Sequence, residues 1–260
     1  MTTVIAAYNI KGGVGKTSTA VNLAYLSARD GARTLLWDLD PQAACTYLLR
    51  VRPRVKGGAK RVVRGGARML EEAIKGTDFA NLDLLPADFR HRHLELLLAA
   101  TKQPTRVLSR ILEPLADSYD VVVLDCAPGV SLVTENVLRA CGLVLVPLIP
   151  TTLSVRTLDQ LSEFIGKTDG QRPRMLGFFS MADRRKTLHR EIMDTLPARR
   201  ADLAKTVIPA LSVIEQMAVH RAPVPFFAPR SVAARRYEQL TAEALQSAAQ
   251  ADRRPRSRQR

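Results

Sequence analysis

A chain of 260 residues with 46% hydrophobic and 25% charged side chains can bury the core of one large α/β domain, which excludes wholesale disorder. Lys and Arg number 39 against 25 Asp and Glu, a formal net charge of +14, and an excess of that size favours a polyanionic partner, either nucleic acid or acidic lipid. Three cysteines, Cys45, Cys126 and Cys141, show no metal-ligand spacing and cannot all pair, which fits reduced thiols in a cytoplasmic protein and excludes a disulfide scaffold.

The opening MTTVIAAYNIKGG has no basic leader and no cleavage pattern, so no signal peptide is expected, and apolar runs such as Gly142 to Pro150 are too short to cross a bilayer. Six short runs rich in β-branched residues read as strands: Thr3–Tyr8, Thr34–Leu39, Leu82–Leu85, Asp120–Asp125, Leu143–Leu148 and Met175–Ser180. Their hydrophobicity is continuous rather than alternating, as in strands covered on both faces. Between them lie helical stretches at Lys16–Asp30, Leu94–Ala99, Thr105–Asp117, Ser131–Ala140 and Val155–Lys167. The alternation predicts an α/β fold, a doubly wound, mainly parallel sheet with helices on both faces, in one domain over residues 1–250. Arg50–Arg68 carries eight cations, four glycines and no acid, and reads as a mobile basic loop. Ala233, Tyr237, Leu240, Ala244 and Ala248 recur at helical spacing, which predicts an amphipathic helix over Ser231–Gln250 docked on the core. Residues 251–260, with five arginines, read as a disordered tail. Trp37 is expected in the core, Cys126 as a small buried residue, and His91 and His93 on the surface.

The segment Lys11-Gly12-Gly13-Val14-Gly15-Lys16-Thr17 follows a predicted strand and opens a predicted helix, the context that a phosphate-binding P-loop requires. Gly12, Gly13 and Gly15 let the backbone close on phosphate oxygens with its N–H groups pointing inward, and Val14 and Ser18 complete the turn. Lys16 supplies a point charge for the β- and γ-phosphates, and the Thr17 hydroxyl is the expected Mg²⁺ ligand. The strict motif would have glycine where this chain has Ile10. Two further strand ends carry acids. Asp38 and Asp40 close the second strand on one side, because residues two apart share a face, and Asp125 closes a buried run in the Walker B arrangement, in which it would hold Mg²⁺ through water.

These motifs resemble the ParA/MinD group of deviant Walker A ATPases, and the ParA branch in particular. KGGVGKT at 11–17 carries the group's additional lysine, Lys11, and DLDPQ at 38–42 and DCAPG at 125–129 are similar to its switch segments. VLVPLIPT at 144–151, VIPALSVIEQ at 207–216 and the SVAARRYEQLTAEAL that follows are similar to later ParA blocks, so the likeness runs along nearly the whole chain apart from Arg50–Arg68 and the tail. The resemblance implies ATP and Mg²⁺ as cofactors and a homodimer that forms on ATP binding, with Lys11 reaching the partner's phosphates. It implies that Asp40 positions the attacking water and Asp38 supports the Mg²⁺ shell, with the reverse division of labour open. Met181 and Pro209 would border the adenine. The family often has arginine after the isoleucine–proline pair, where this chain has Ala210.

The resemblance further implies slow hydrolysis, ATP-dependent binding of double-stranded DNA without sequence preference, and a ParB-like activator that stimulates release, in the positioning of chromosome, plasmid or other cargo. Candidate phosphate contacts are Arg184, Arg185, Lys186, Arg199, Arg200, Arg221, Arg235 and Arg236. A MinD-like membrane regulator is the alternative, and the ending PRSRQR, without Phe, Leu or Trp to enter lipid, speaks against it. A ligase or reductase on the same fold would need a substrate pocket or cluster cysteines, and Cys126 and Cys141 do not match that arrangement.

Overall fold

The computed structural model describes residues 2–52, 63, 66–87, 94–167 and 172–252. His91, His93, most of the basic segment and residues 253–260 lie outside them. Eight strands form one sheet: β1 (Thr3–Ala7), β2 (Thr34–Asp38), β3 (Lys75–Gly76), β4 (Leu82–Leu85), β5 (Val121–Asp125), β6 (Leu143–Leu148), β7 (Arg174–Ala182) and β8 (Leu203–Pro209). Their order is β3-β4-β2-β5-β1-β6-β7-β8. Every pairing is parallel except β3 with β4, so the expected doubly wound, mainly parallel sheet is present.

The period of two along each strand divides the core between the two faces. Ile5 and Ala7 of β1, Val121 and Val123 of β5, and Leu143 and Leu145 of β6 face one core, where they meet α1 (Lys16–Arg29). Ala6, Tyr8, Val122, Leu124, Val144 and Val146 face the other. That second face is covered by α4 (Leu94–Ala99), α5 (Val107–Leu112), α6 (Leu132–Ala140) and α7 (Thr152–Gly166). Burial on both sides is why the central strands are apolar without alternation.

The elements between these were not all expected. α2 (Ala44–Leu48) follows the second strand, and α3 (Gly66–Ala73) starts inside the segment read as a basic loop, so the loop reading fails from Gly66 onward. α8 (Thr187–Arg199) and strand β8 are additional, as are the short helices α9 (Ser212–Glu215), α10 (Met217–His220) and α11 (Val224–Phe227). The helix expected over Thr105–Asp117 is shorter, because Pro114 lies in a 3₁₀ turn over Glu113–Leu115. The last helix, α12 (Val232–Asp252), docks as expected, with Ala233, Tyr237, Leu240, Ala244 and Ala248 buried against the α1 face.

Helix entry is handled in two ways. α6 and α7 are capped by Ser131 and Thr151, whose hydroxyls accept from the backbone N–H three residues on, at 3.3 Å in each case. α1 is preceded by left-handed Gly15 and has neither a side-chain cap nor an acid in its first turn, which leaves its N–H groups for an anion. The start of α5 is held from a distance by Asn136 of α6. Its Oδ1 accepts from Val107 N at 2.9 Å and Leu108 N at 3.2 Å, and its Nδ2 donates to Pro104 O at 2.7 Å and Leu132 O at 2.8 Å. Asn136→Ala leaves the buried N–H groups of Val107 and Leu108 without that acceptor, so it is expected to lower unfolding stability by about 2–3 kcal/mol. A urea titration measures this, and a loss under about 0.5 kcal/mol, the range of an ordinary surface change, would contradict it.

Candidate nucleotide site

The carboxyl ends of the parallel strands carry the loops that meet at one edge of the sheet, the usual place for a ligand in an open α/β fold. After β1, Asn9 anchors the turn: its Oδ1 accepts from Lys11 N at 2.9 Å, and its Nδ2 donates to Pro147 O of β6 at 2.8 Å. Tyr8 OH donates to Gly129 O at 2.8 Å and Gly129 N donates to Ile10 O at 3.0 Å, tying this loop to the one after β5. Ile10 takes part through its backbone, so the missing glycine of the strict motif costs the turn nothing there. Gly13 and Gly15 have φ of 70° and 94°, and a Cβ on Gly15 would stand 2.9 Å from Ser180 Oγ. The left-handed conformation therefore calls for glycine at position 15, and a Cβ there would also displace the Ser180 hydroxyl.

Lys16 is buried, with Nζ donating to Lys11 O at 2.9 Å. Burial draws its pKa down, while Asp125 and Asp40 push the other way. Thr17 Oγ1 donates to Asp125 Oδ2 at 2.8 Å, and Cys45 Sγ donates to the same oxygen at 3.1 Å. Asp125 Oδ1 is buried with no hydrogen-bond partner. Asp125 is the register partner of Asp38 on the adjacent strand, and both are fully buried. Desolvation raises the pKa of each, the charge of Asp38 raises that of Asp125 further, and Asp40 adds to both.

Asp38 and Asp40 do not share a strand face. β2 ends at Asp38, whose Oδ2 accepts from Thr46 N at 2.9 Å and Thr46 Oγ1 at 2.7 Å in the interior. Asp40 stands beyond the strand end, and its own N–H donates back to Asp38 Oδ1 at 3.2 Å. The second strand therefore sends one acid inward and the other into the cleft.

That cleft has a volume of about 370 Å³, within the range of small-ligand sites. Gly12, Gly13, Gly15, Lys16, Thr17 and Ser18 form one wall, Asp40 and Pro128 a second. Ser180, Met181, Ile208, Ile214, Glu215 and Tyr237 form the third. Val14 is buried beneath the loop, and Lys11 does not line the cleft. Met181 lines this cleft together with Ile208, whereas Pro209 lines a neighbouring one. Asn9, Cys45, Thr46, Ser180, Glu215 and Tyr237 were not foreseen. Only Ser180 had a sequence signal, its position at the carboxyl end of a predicted strand.

The eight basic candidates are dispersed. Arg184, Arg185 and Arg236 converge, with Lys205, on the neighbouring cleft of about 710 Å³. Arg185 is also paired with Asp183 at 2.9 Å, though its side chain is 91% exposed. Lys186 and Arg199 are exposed at the two ends of α8. Arg235 Nη1 donates to Arg230 O at 2.7 Å. Arg200 is only 17% exposed and bridges Asp159 and Asp202, so it is committed inside the fold. Arg221 lies over the Tyr47 ring, 4.5 Å from its centroid, away from the basic cleft.

An oxygen site left open beside a threonine hydroxyl, a backbone nest and a buried lysine fits a magnesium-bound polyphosphate. Residues 2–176 match a family model described as an AAA domain. The chain is 32% identical over 248 residues to the sporulation initiation inhibitor protein Soj of Bacillus subtilis, covering 92% of this chain and 97% of Soj. It is 31% identical to the chromosome partitioning protein ParA of Caulobacter vibrioides, over 93% of each chain. Among solved structures, cobyrinic acid a,c-diamide synthase from Mycobacterium smegmatis, with bound ATP analog and magnesium, superposes with a TM-score of 0.75 at 27% identity, over 97% of this chain and 98% of that one. The septum site-determining protein MinD of Pyrococcus horikoshii, complexed with Mg-ADP, superposes at 0.76 over 98% of this chain and all of that one, and its 23% identity speaks for the fold alone. Sheet order, phosphate loop and full-length identity to Soj and ParA agree, and the chain belongs to the ParA family of P-loop ATPases.

Proposed function

We propose that this chain is an ATP-hydrolysing positioning ATPase whose nucleotide state gates its hold on DNA. The observation that carries the reading is the hydrogen bond between Thr17 and buried Asp125, directly beneath the glycine loop. It brings two of the expected metal-side groups together across a separation of 108 residues. Thr17 and, through water, Asp125 would hold Mg²⁺, and the metal supplies charge neutralisation between the phosphates. Lys16 contributes a second fixed positive charge from inside the loop. Asp40, in the wall opposite, would orient the attacking water and accept its proton, while Asp38, locked by Thr46, fixes the segment from which Asp40 projects. Met181, Ile208 and Ile214 offer an apolar surface to the base. Lys11, at the start of the loop, would serve a second copy of the chain, so that a closed dimer forms with ATP in preference to ADP.

Arg184, Arg185, Lys205 and Arg236 around one cleft support a DNA backbone contact there, with Lys186 and Arg235 next to two of them in the chain and Arg199 at the far end of α8. Arg200 and Arg221 are left out of that set, the first because it is largely buried between Asp159 and Asp202 and the second because it lies over Tyr47 away from that cleft. A ParB-like partner would accelerate turnover and so release the DNA, moving a chromosome, a plasmid or other cargo. The membrane alternative loses support from α12, whose apolar face is spent on the core rather than offered to lipid. Among the described residues no helix is long and apolar enough to cross a membrane. The likeness to the diamide synthase favours a second reading, ATP-driven activation of a small carboxylic acid. All three cysteines are buried, which gives that reading no accessible thiol to draw ammonia from glutamine.

Gly15→Ala is expected to weaken ATP binding at least about tenfold, since the residue needs both a left-handed φ and the space beside Ser180. Titration with a fluorescent ATP analogue reads the loss and circular dichroism checks the fold; unchanged affinity would remove the phosphate loop from the account. For DNA, an Asp40→Ala chain loaded with ATP should be retained on duplex of any sequence and released in ADP. Charge reversal of Arg184 and Arg236 together should flatten the dependence of log affinity on log salt by about 2, near 0.9 per lost phosphate contact. Equal retention in ADP, or turnover stimulated by a carboxylic acid and glutamine instead of DNA, would sink the positioning role.

A further inference from the structure

Five non-glycine residues among those described have positive φ: Ala43, Arg50, Asn81, Met181 and Arg221, between 48° and 60°. Such backbone is uncommon for residues with a Cβ and gathers where the surroundings impose it. Two of the five, Arg50 at 59° and Arg221 at 48°, hold each other's segments. Arg221 Nε donates to Tyr47 O at 2.9 Å, with its guanidinium 4.5 Å from the centroid of the Tyr47 ring. Arg50 Nη2 donates to His220 O at 3.0 Å. Each arginine therefore stands just past the end of one short helix, α2 or α10, and grips the last turn of the other.

The two helices serve opposite walls of the nucleotide cleft. α2 carries Cys45 and Thr46, which donate to Asp125 and Asp38, and it begins four residues after Asp40. α10 follows directly on Ile214 and Glu215 of the base-side wall. It has a second anchor in Asn22 of α1, whose Nδ2 donates to Met217 Sδ at 3.3 Å and whose Oδ1 accepts from Val224 N at 2.8 Å. α2 has no such tie to α1 among the hydrogen bonds of the described residues, and its outward face depends on the arginine pair.

We propose that Arg50 and Arg221 are positioning residues for ATP hydrolysis, forming a reciprocal clasp that fixes α2, and with it the Asp38–Asp40 segment, against the base-side wall. The inference rests on the hydrolysis reading above. Glycine would satisfy the backbone at both positions with less strain, so what arginine adds lies in its side chain. Opening the clasp loosens the outer side of α2, which Cys45 and Thr46 still tie to Asp125 and Asp38, while Asn22 keeps the base-side wall in place. The rate of turnover, rather than the affinity for ATP, is the quantity it controls.

Arg50→Gly, Arg221→Gly and the double variant test this without straining the fold. Each single variant is expected to lower kcat about tenfold with KM for ATP within about twofold, and the double variant to fall no further than the worse single one, because either change opens the same clasp. Melting temperature should hold or rise. Hydrogen exchange should accelerate at the amides of residues 44–49 and stay unchanged at 217–224. Wild-type kcat in both single variants, multiplicative losses in the double, or unaltered exchange at 44–49 would overturn the clasp. A fall in kcat matched by a fall in melting temperature would assign the arginines to stability alone and overturn it as well. An inactive wild-type chain would instead defeat the hydrolysis reading, separately from these comparisons.

Discussion

Two carboxylates at neighbouring strand ends, Asp38 and Asp125, lie side by side in the interior with no exposed surface, and much of the surrounding structure answers that constraint. Burying an ionised carboxylate is costly unless hydrogen bonds and opposite charge replace the lost solvent. The chain supplies donors to three of the four oxygens. Asp40 N serves Asp38 Oδ1, Thr46 serves Asp38 Oδ2, and Thr17 with Cys45 serves Asp125 Oδ2. Asp125 Oδ1 receives none. Lys16 feels the charge of Asp125, but its ammonium is turned to the Lys11 carbonyl and is itself held back by burial. The remaining charge is the kind that a divalent cation answers, and its arrival would reverse the tendency of both acids to take up protons.

The topology explains why these groups meet although they are far apart in the chain. Placing β1 between β5 and β6, with β2 beyond β5, sets the loops after residues 7, 38, 125 and 148 side by side at the carboxyl edge. The loops then fasten to one another through backbone groups: Leu39 N to Asp125 O, Cys126 N to Ala7 O, Gly129 N to Ile10 O. A movement of the segment carrying Asp40 is consequently felt at the segment carrying Asp125, and through Tyr8 and Gly129 at the phosphate loop. Rigidity here has a local origin, in strand ends that continue to pair after the strands themselves have stopped.

What the sequence disclosed follows from the same division. The central strands are buried on both faces, so their composition alone marked them, and the glycine loop is local in the chain and carries its chemistry in its residue types. β8 escaped because Lys205 and Thr206 interrupt its apolar character at the sheet edge, where its burial alternates. α8 escaped because Pro197 lies inside it and only His189, Met193 and Leu196 are buried. The fate of individual charges was invisible for a different reason. Arg200 looks like any surface arginine until Asp159, 41 positions earlier, arrives beside it, and Asp38 and Asp40 look equivalent until Thr46 claims the first. Partners separated this far are set by tertiary structure, which leaves no trace in spacing.

The last two strands hold the connection between the nucleotide cleft and the basic one. On β7, Met181 belongs to the first cleft and Ala182 to the second; on β8, Ile208 belongs to the first and Pro209 to the second. A step of one residue on each strand therefore separates the glycine-loop cleft from the basic one. Ala182 and Pro209 are register partners, and Ala210 N donates to Ala182 O at 2.9 Å, so the step is tied across the sheet. The β7–β8 register shifts just before it, and Met181 is held at a φ of 53°, which marks the step as the irregular part of an otherwise regular pairing. A ligand pressing on Met181 and Ile208 acts on the reverse side of the residues that frame Arg184, Arg185 and Arg236. The two clefts need no long pathway between them, because they share one backbone.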